Sequence, residues 1–151
     1  MEHPKAVGDR TTLAVMLALQ EAGWAIAVPF GENSRYDLVL DNGVSLMRVQ
    51  CKSGRLRKGA VEFAVCSCYG HHPRPKVIRR DYTGEIDCFA VYCRETSGVY
   101  VVPIQDLPNR STARLRIEAP RNNQMTGIRW AAQYRVASVA LECGALGEDL
   151  A

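Results

Sequence analysis

Apolar residues recur at helical spacing from Arg10 to Ala22, with Leu13, Leu17 and either Val15 or Met16 on one face and Leu19 nearby. This predicts a first helix, capped by Asp9 or Thr11 and ended by Gly23. The period then shortens. Trp24 to Phe30 reads as a strand stopped by Pro29 and Gly31, and Tyr36–Leu40 and Val44–Lys52 flank Asn42-Gly43. Further strands are predicted over Val61–Cys68, Cys88–Cys93 and Val99–Ile104, with weaker signals at Arg114–Ala119 and Tyr134–Val139 and a possible helix near the end. A helix leading into a mixed sheet implies an α/β layered fold.

Asn-Gly favours a two-residue type I′ turn, because both residues tolerate positive φ. That loop pairs Asp41 with Val44 and places Asp37 opposite Arg48. Side chains repeat on one face every second residue, so Asp37, Arg48, Gln50 and Lys52 share a face. Gln50 is then the diagonal neighbour of Asp37, about 7–8 Å away by Cα. A slip of one residue would send Asp37 to the other face.

These residue types suit one chemistry. Mg²⁺ takes hard oxygen ligands: a carboxylate, amide or backbone carbonyls, water and phosphate. Asp37 supplies charge, while the Gln50 side-chain oxygen and the Cys51 carbonyl supply neutral donors. Lys52 can orient or deprotonate a water and stabilise charge on a phosphorane-like transition state. An ordinary amphipathic hairpin with a surface ion pair satisfies the same pattern.

Charge distribution narrows the choice. The 151-residue chain carries only +3 overall, with 47% hydrophobic and 23% charged residues. Residues 48–80, however, hold nine Lys and Arg against the single acid Glu62. Tyr69, His71 and His72 lie within that stretch. A second basic run, Arg110 to Arg135, contains Asn122, Asn123 and Gln124. Lys and Arg neutralise phosphates, and Asn, Gln and Arg can read base edges, so a nucleic-acid partner is expected. No apolar run reaches transmembrane length, and the N-terminus lacks a signal-peptide pattern. The six cysteines form no Cys-x-x-Cys pair and read as reduced core thiols of a cytoplasmic protein. Cys66-x-Cys68 with His71-His72 is too tightly spaced for a usual structural zinc site. P-loop and dinucleotide fingerprints are absent.

The segments Pro29–Asp37, Val49–Arg55, Tyr82–Cys93 and Val99–Pro103, with Leu115-Arg116 and Asn122-x-Gln124, resemble the PD-(D/E)xK nuclease superfamily. More narrowly, they resemble its group I intron-associated, homing-type branch. The likeness runs from about Gly8 to Ala137. It implies a restriction-endonuclease-like mixed sheet flanked by helices. The chain is then a single domain, with a core over about 8–104 and a basic extension over about 105–151. It also implies Mg²⁺- or Mn²⁺-dependent cleavage of double-stranded DNA by a homodimer or homotetramer. Asp37 would be the metal-binding acid, Gln50 the residue at the usual Asp/Glu position, and Lys52 the motif lysine. Arg35, Arg48, Arg55, Arg57, Lys58, His71 and His72 are the expected DNA contacts. Relatives often carry Glu on the first helix at about the position of Thr12, and its loss should weaken metal affinity. A Holliday-junction resolvase or a catalytically impaired DNA-binding module are the alternatives. Asp87 is expected to make local hydrogen bonds rather than to bind metal.

Overall fold

The computed structural model describes residues 2–70 and 77–136. His71, His72 and the helix expected near the C-terminus lie outside these residues, as does Cys143. Helix α1 spans Pro4–Glu21, six residues longer at its start than the periodicity indicates. Its beginning is set by Pro4 in the first turn, where a fixed φ and a missing N–H cost nothing. His3 caps it through its Nδ1, which accepts the Lys5 N–H. Asp9 and Thr11 are therefore interior residues, not caps. The buried stripe is Thr11, Val15 and Leu19; Leu13 and Leu17 are exposed, contrary to the apolar face read from the sequence.

The strands are β1 Ala25–Ala27, β2 Leu38–Asp41, β3 Leu46–Arg57, β4 Ala60–Ala64, β5 Ser67–Gly70, β6 Val77–Arg80, β7 Cys88–Cys93, β8 Gly98–Pro103 and β9 Thr112–Arg116. Strand β1 is shorter than Trp24–Phe30, and the single strand expected over Val61–Cys68 is split between β4 and β5. Seven strands form one mixed sheet, and β5 and β6 form a separate pair. Strand β3 organises everything. Residues 46–49 pair antiparallel with β2, residues 49–54 pair parallel with β7, and residues 55–57 pair antiparallel with β4. Strand β9 adds to β4, and β8 to β7. This is the restriction-endonuclease-like α/β architecture. No helix of the described residues is long and apolar enough to cross a membrane.

Each face of the sheet builds its own core. Val15 and Leu19 of α1 pack on Leu38, Leu40, Val49, Cys51, Cys88 and Ala90. The opposite face buries Val61, Phe63, Phe89, Val91, Tyr100, Val102 and Leu115, with Tyr82 and Ile86 over them. Gly54 lies where β3 passes from β7 to β4. A Cβ there would sit 2.8 Å from Cγ1 of both Val61 and Val91, so only glycine lets these strands close.

The hairpin register differs from the one read off Asn42-Gly43. Asp41 pairs with Leu46, and Leu38 with Val49, around a four-residue loop. The Asn42 side chain accepts the N–H groups of Val44 and Ser45, and Asp41 accepts that of Gly43. These side-chain bonds hold a wider turn, and only Gly43 adopts positive φ in it. The shift is two residues, so face parity survives: Asp37 now comes opposite Gln50 rather than Arg48 and still shares its side of the hairpin.

Candidate active site

Residues 50–54 of β3 have only β7 as a ladder partner among the described residues, because β2 ends its pairing at Val49 and β4 begins at Arg55. The gap leaves main-chain groups of a central strand without a neighbouring strand, and unpaired backbone groups demand other partners. Asp37 occupies the upper end of this gap. Its own N–H donates to the Val49 carbonyl (2.8 Å), and its Oδ2 accepts the Cys51 N–H (2.9 Å). The carboxylate thus replaces a missing strand. Burial pushes the Asp37 carboxyl above the ordinary aspartate range, opposed by the Cys51 N–H and by the positive charge of Lys52.

Gln50 and Lys52 follow on the same face. The Gln50 Nε2 donates to the Cys51 carbonyl (3.3 Å). Turning this amide by half a rotation exchanges Nε2 for Oε1, and both oxygens then face the same space. Lys52 projects to the Tyr82 hydroxyl (3.1 Å) and the Cys66 carbonyl (3.3 Å). An ammonium has three donors, so a third N–H remains for a water or a phosphate oxygen. Its nitrogen is 4.9 Å from the Tyr82 ring centroid. The buried Tyr82 ring packs edge-on against Phe89 (5.5 Å), and the Arg35 guanidinium lies 4.1 Å from its centre. Tyr82 was within reach of sequence reading as an aromatic between Asp81 and Thr83-Gly84, but nothing local marked it as the partner of a lysine thirty positions earlier.

On the reverse side of β3, the hydroxyl of the buried Thr11 and that of the exposed Ser53 hydrogen-bond to each other. Burial, and then the nearby Asp37 charge, push the Cys51 thiol up to about 12. Cys51, Cys66, Cys88 and Cys93 are buried free thiols as expected, whereas Cys68 is exposed.

The expected DNA contacts separate into two groups. Arg35 donates to Glu85 (2.9 Å), Ser67 (2.9 Å) and the Asp81 carbonyl (2.7 Å), fastening the loop before Asp37 to the segment carrying Tyr82. Arg48 is held by Asp87, which also accepts the Arg48 main-chain N–H (2.7 Å). Asp87 thus makes the local bonds expected of it, and Arg48 holds its carboxyl below the ordinary range. By contrast, Arg55, Arg57 and Lys58 are exposed at the far end of β3 and its turn.

No group of three or more His, Cys, Asp or Glu side chains suited to a metal occurs among the described residues. The oxygen set is instead one carboxylate, one amide and one main-chain carbonyl. Oδ1 of Asp37 accepts no hydrogen bond from the described residues. A single acid with neutral oxygens suits Mg²⁺, which keeps waters and phosphate oxygens in its shell and needs only one or two carboxylates. The same set is poor in nitrogen and sulfur for zinc.

Helix α1 lies on a mixed sheet, with Asp37 at a strand fork and Gln50-x-Lys52 on the central strand. The chain matches the PD-(D/E)XK endonuclease family over residues 2–137 and belongs to it. Such enzymes generally use divalent metal ions and act on DNA. Among solved structures it is similar to a bacterial homing endonuclease, I-Ssp6803I. The TM-score is 0.73 at 25% identity, covering 97% of this chain and 99% of that one. No curated protein matches the sequence.

Proposed function

We propose that this chain is a Mg²⁺- or Mn²⁺-dependent endonuclease of homing type that hydrolyses phosphodiester bonds in double-stranded DNA. The observation that carries this reading is the Asp37 carboxylate at the gap in β3, beside the Cys51 carbonyl and the tethered Lys52. Asp37, Gln50 and Cys51 would hold the ion. When bound, the ion polarises a phosphate oxygen and lowers the pKa of a bound water. Lys52, fixed by Tyr82 and Cys66, positions that water through its remaining N–H and counters charge on the phosphate as it is attacked. Arg55, Arg57 and Lys58, with His71 and His72, contact the backbone. Arg35 and Arg48 act through the loops they hold. Cutting both strands requires two such sites, so a homodimer or homotetramer carries the activity.

The test is plasmid nicking by the purified protein with Mg²⁺, with Mn²⁺, with EDTA, and with Lys52→Ala. Cleavage is expected only with metal and only in the wild type. Duplex binding without cleavage in any metal would instead establish an impaired DNA-binding module, the reading that Thr12 in place of an acid favours.

A further inference from the structure

Tyr82-Thr83-Gly84-Glu85 closes a tight turn, in which the Glu85 N–H donates to the Tyr82 carbonyl (2.9 Å). Gly84, third in the turn, takes a positive φ of 75°, which glycine adopts without strain. The Asp81 carboxylate accepts the Thr83 N–H (3.1 Å) at the entry to the turn. The chain thereby carries the Glu85 carboxylate back to the guanidinium that lies on the Tyr82 ring. Its Oε2 accepts from Arg35 Nε (2.9 Å), and Arg80 donates to both of its oxygens (3.0 and 3.2 Å).

Two cations share that ring: the Arg35 guanidinium at 4.1 Å and the Lys52 ammonium at 4.9 Å from its centroid. Like charges this close repel, and Arg80 brings a third. Glu85 bonds two of the three. We propose that Glu85 is a positioning residue for Lys52: by seating Arg35 on the Tyr82 ring, it keeps the Tyr82 hydroxyl aimed at the ammonium. The inference rests on the nuclease reading above and adds to it the residue that sets the lysine in place.

The connections run to both halves of the site. Arg35 lies two positions before Asp37, and its fork also bonds the Ser67 hydroxyl (2.9 Å) and the Asp81 carbonyl (2.7 Å). Ser67 and Arg80 are cross-strand partners in β5 and β6. One carboxylate therefore ties together the loop before Asp37, the β5–β6 pair and the turn carrying Tyr82. The Arg35 side chain is 17% exposed and that of Glu85 29%, so the pair is partly shielded from water. Partly exposed ion pairs add little to stability. A displacement of about 1 Å in a catalytic group, by contrast, costs on the order of a hundredfold in rate. Glu85 is thus expected to matter more for turnover than for folding.

The experiment has two arms. In the first, the metal-free full chain is acylated with an N-hydroxysuccinimide ester, and the rate at each lysine is read by mass spectrometry. Glu85→Gln is expected to raise the rate at Lys52 at least about threefold through loss of its tether, while the exposed Lys58 keeps its rate. Glu85→Asp, which retains the charge, should recover part of the protection. In the second arm, nicking kinetics form a double-mutant cycle. Glu85→Gln should lower kcat about tenfold with KM for duplex DNA unchanged. In a Tyr82→Phe background it should cost less than about twofold more, because both act through one contact. Wild-type acylation of Lys52 in Glu85→Gln, or an undiminished loss beside Tyr82→Phe, overturns the inference while metal-dependent nicking by the wild type stands. A lowered KM with unchanged kcat would mean that the acid merely repels phosphate, and overturns it as well. A wild type that cuts no DNA with any metal removes the nuclease proposal, and the acylation arm still decides whether Glu85 places Lys52.

Discussion

Asp37 accepts the main-chain N–H of Cys51 at 2.9 Å across a gap where, among the described residues, β3 has a strand neighbour on only one side, β7. One bond therefore completes the sheet and fixes the acid of the site. The carboxylate is held in a partly buried place that raises its pKa, with burial the largest cause. A group whose folded pKa lies above its unfolded value favours folding when protonated, and that advantage is lost as pH rises through the folded value. At neutral pH the ionised Asp37 thus works against stability.

Asp37→Asn is expected to abolish cleavage yet raise stability. Asn can still accept the Cys51 N–H without carrying charge. Relieving an active-site cost of this kind is worth on the order of 1 kcal/mol, or about 2–4 °C in melting temperature. Melts from pH 3 to 7.5 should show the variant's advantage at neutral pH and its disappearance in acid. A variant that melts below the wild type at pH 7 would contradict this.

Asp87→Asn should do the opposite in the same assay. Arg48 lowers the folded pKa of Asp87, so the pair's contribution is present above the ordinary aspartate value of about 3.9 and vanishes as pH falls through the folded value. Both side chains are about two-fifths exposed, which limits the loss to about 0–1 kcal/mol. The variant should melt slightly lower at pH 7 and together with the wild type in strong acid.

Tyr82→Phe keeps the ring against Phe89 and Arg35 and removes only the hydroxyl that accepts from Lys52. As a positioning residue, Tyr82 should affect turnover rather than binding. Loss of one bond to a charged group predicts a fall in kcat on the order of tenfold, with KM unchanged and the pH–rate profile displaced. An equal loss in KM, or an unmoved profile, would mean that the ring alone matters.

Much of the site was legible because side-chain parity is robust. Asn42-Gly43 announced the hairpin, and although Asn42 caps a wider loop than the dipeptide implied, a two-residue shift leaves Asp37, Gln50 and Lys52 on their shared side. The helix was less legible. Leu13, Val15, Met16, Leu17 and Leu19 nearly encircle it, and the buried stripe was decided by Thr11, whose hydroxyl finds Ser53 forty-two positions away. Tyr82 behind Lys52, and Asp87 beneath Arg48, are also long-range pairings that no local period encodes.

Gly54→Ala tests the crossing point of the strands. The added methyl meets Val61 and Val91 at 2.8 Å in a packed core. Overpacking of this kind costs about 1–3 kcal/mol, read as a lower urea midpoint. Gly54→Ala/Val61→Ala should recover part of that loss.

Strand β3 runs twelve residues without interruption, from the hairpin of Asp37 to Arg57, and this constrains how such a chain can evolve. Inserting one residue between Lys52 and Arg55 would turn every later side chain to the wrong face. Inserting two would restore the faces but slide the arginines about 6.8 Å along the sheet. The distance from Lys52 to the exposed Arg55 and Arg57 is therefore counted out in residues of one strand. Substitution can change the side chains at either end of β3 freely, but their spacing can change only in steps of two residues.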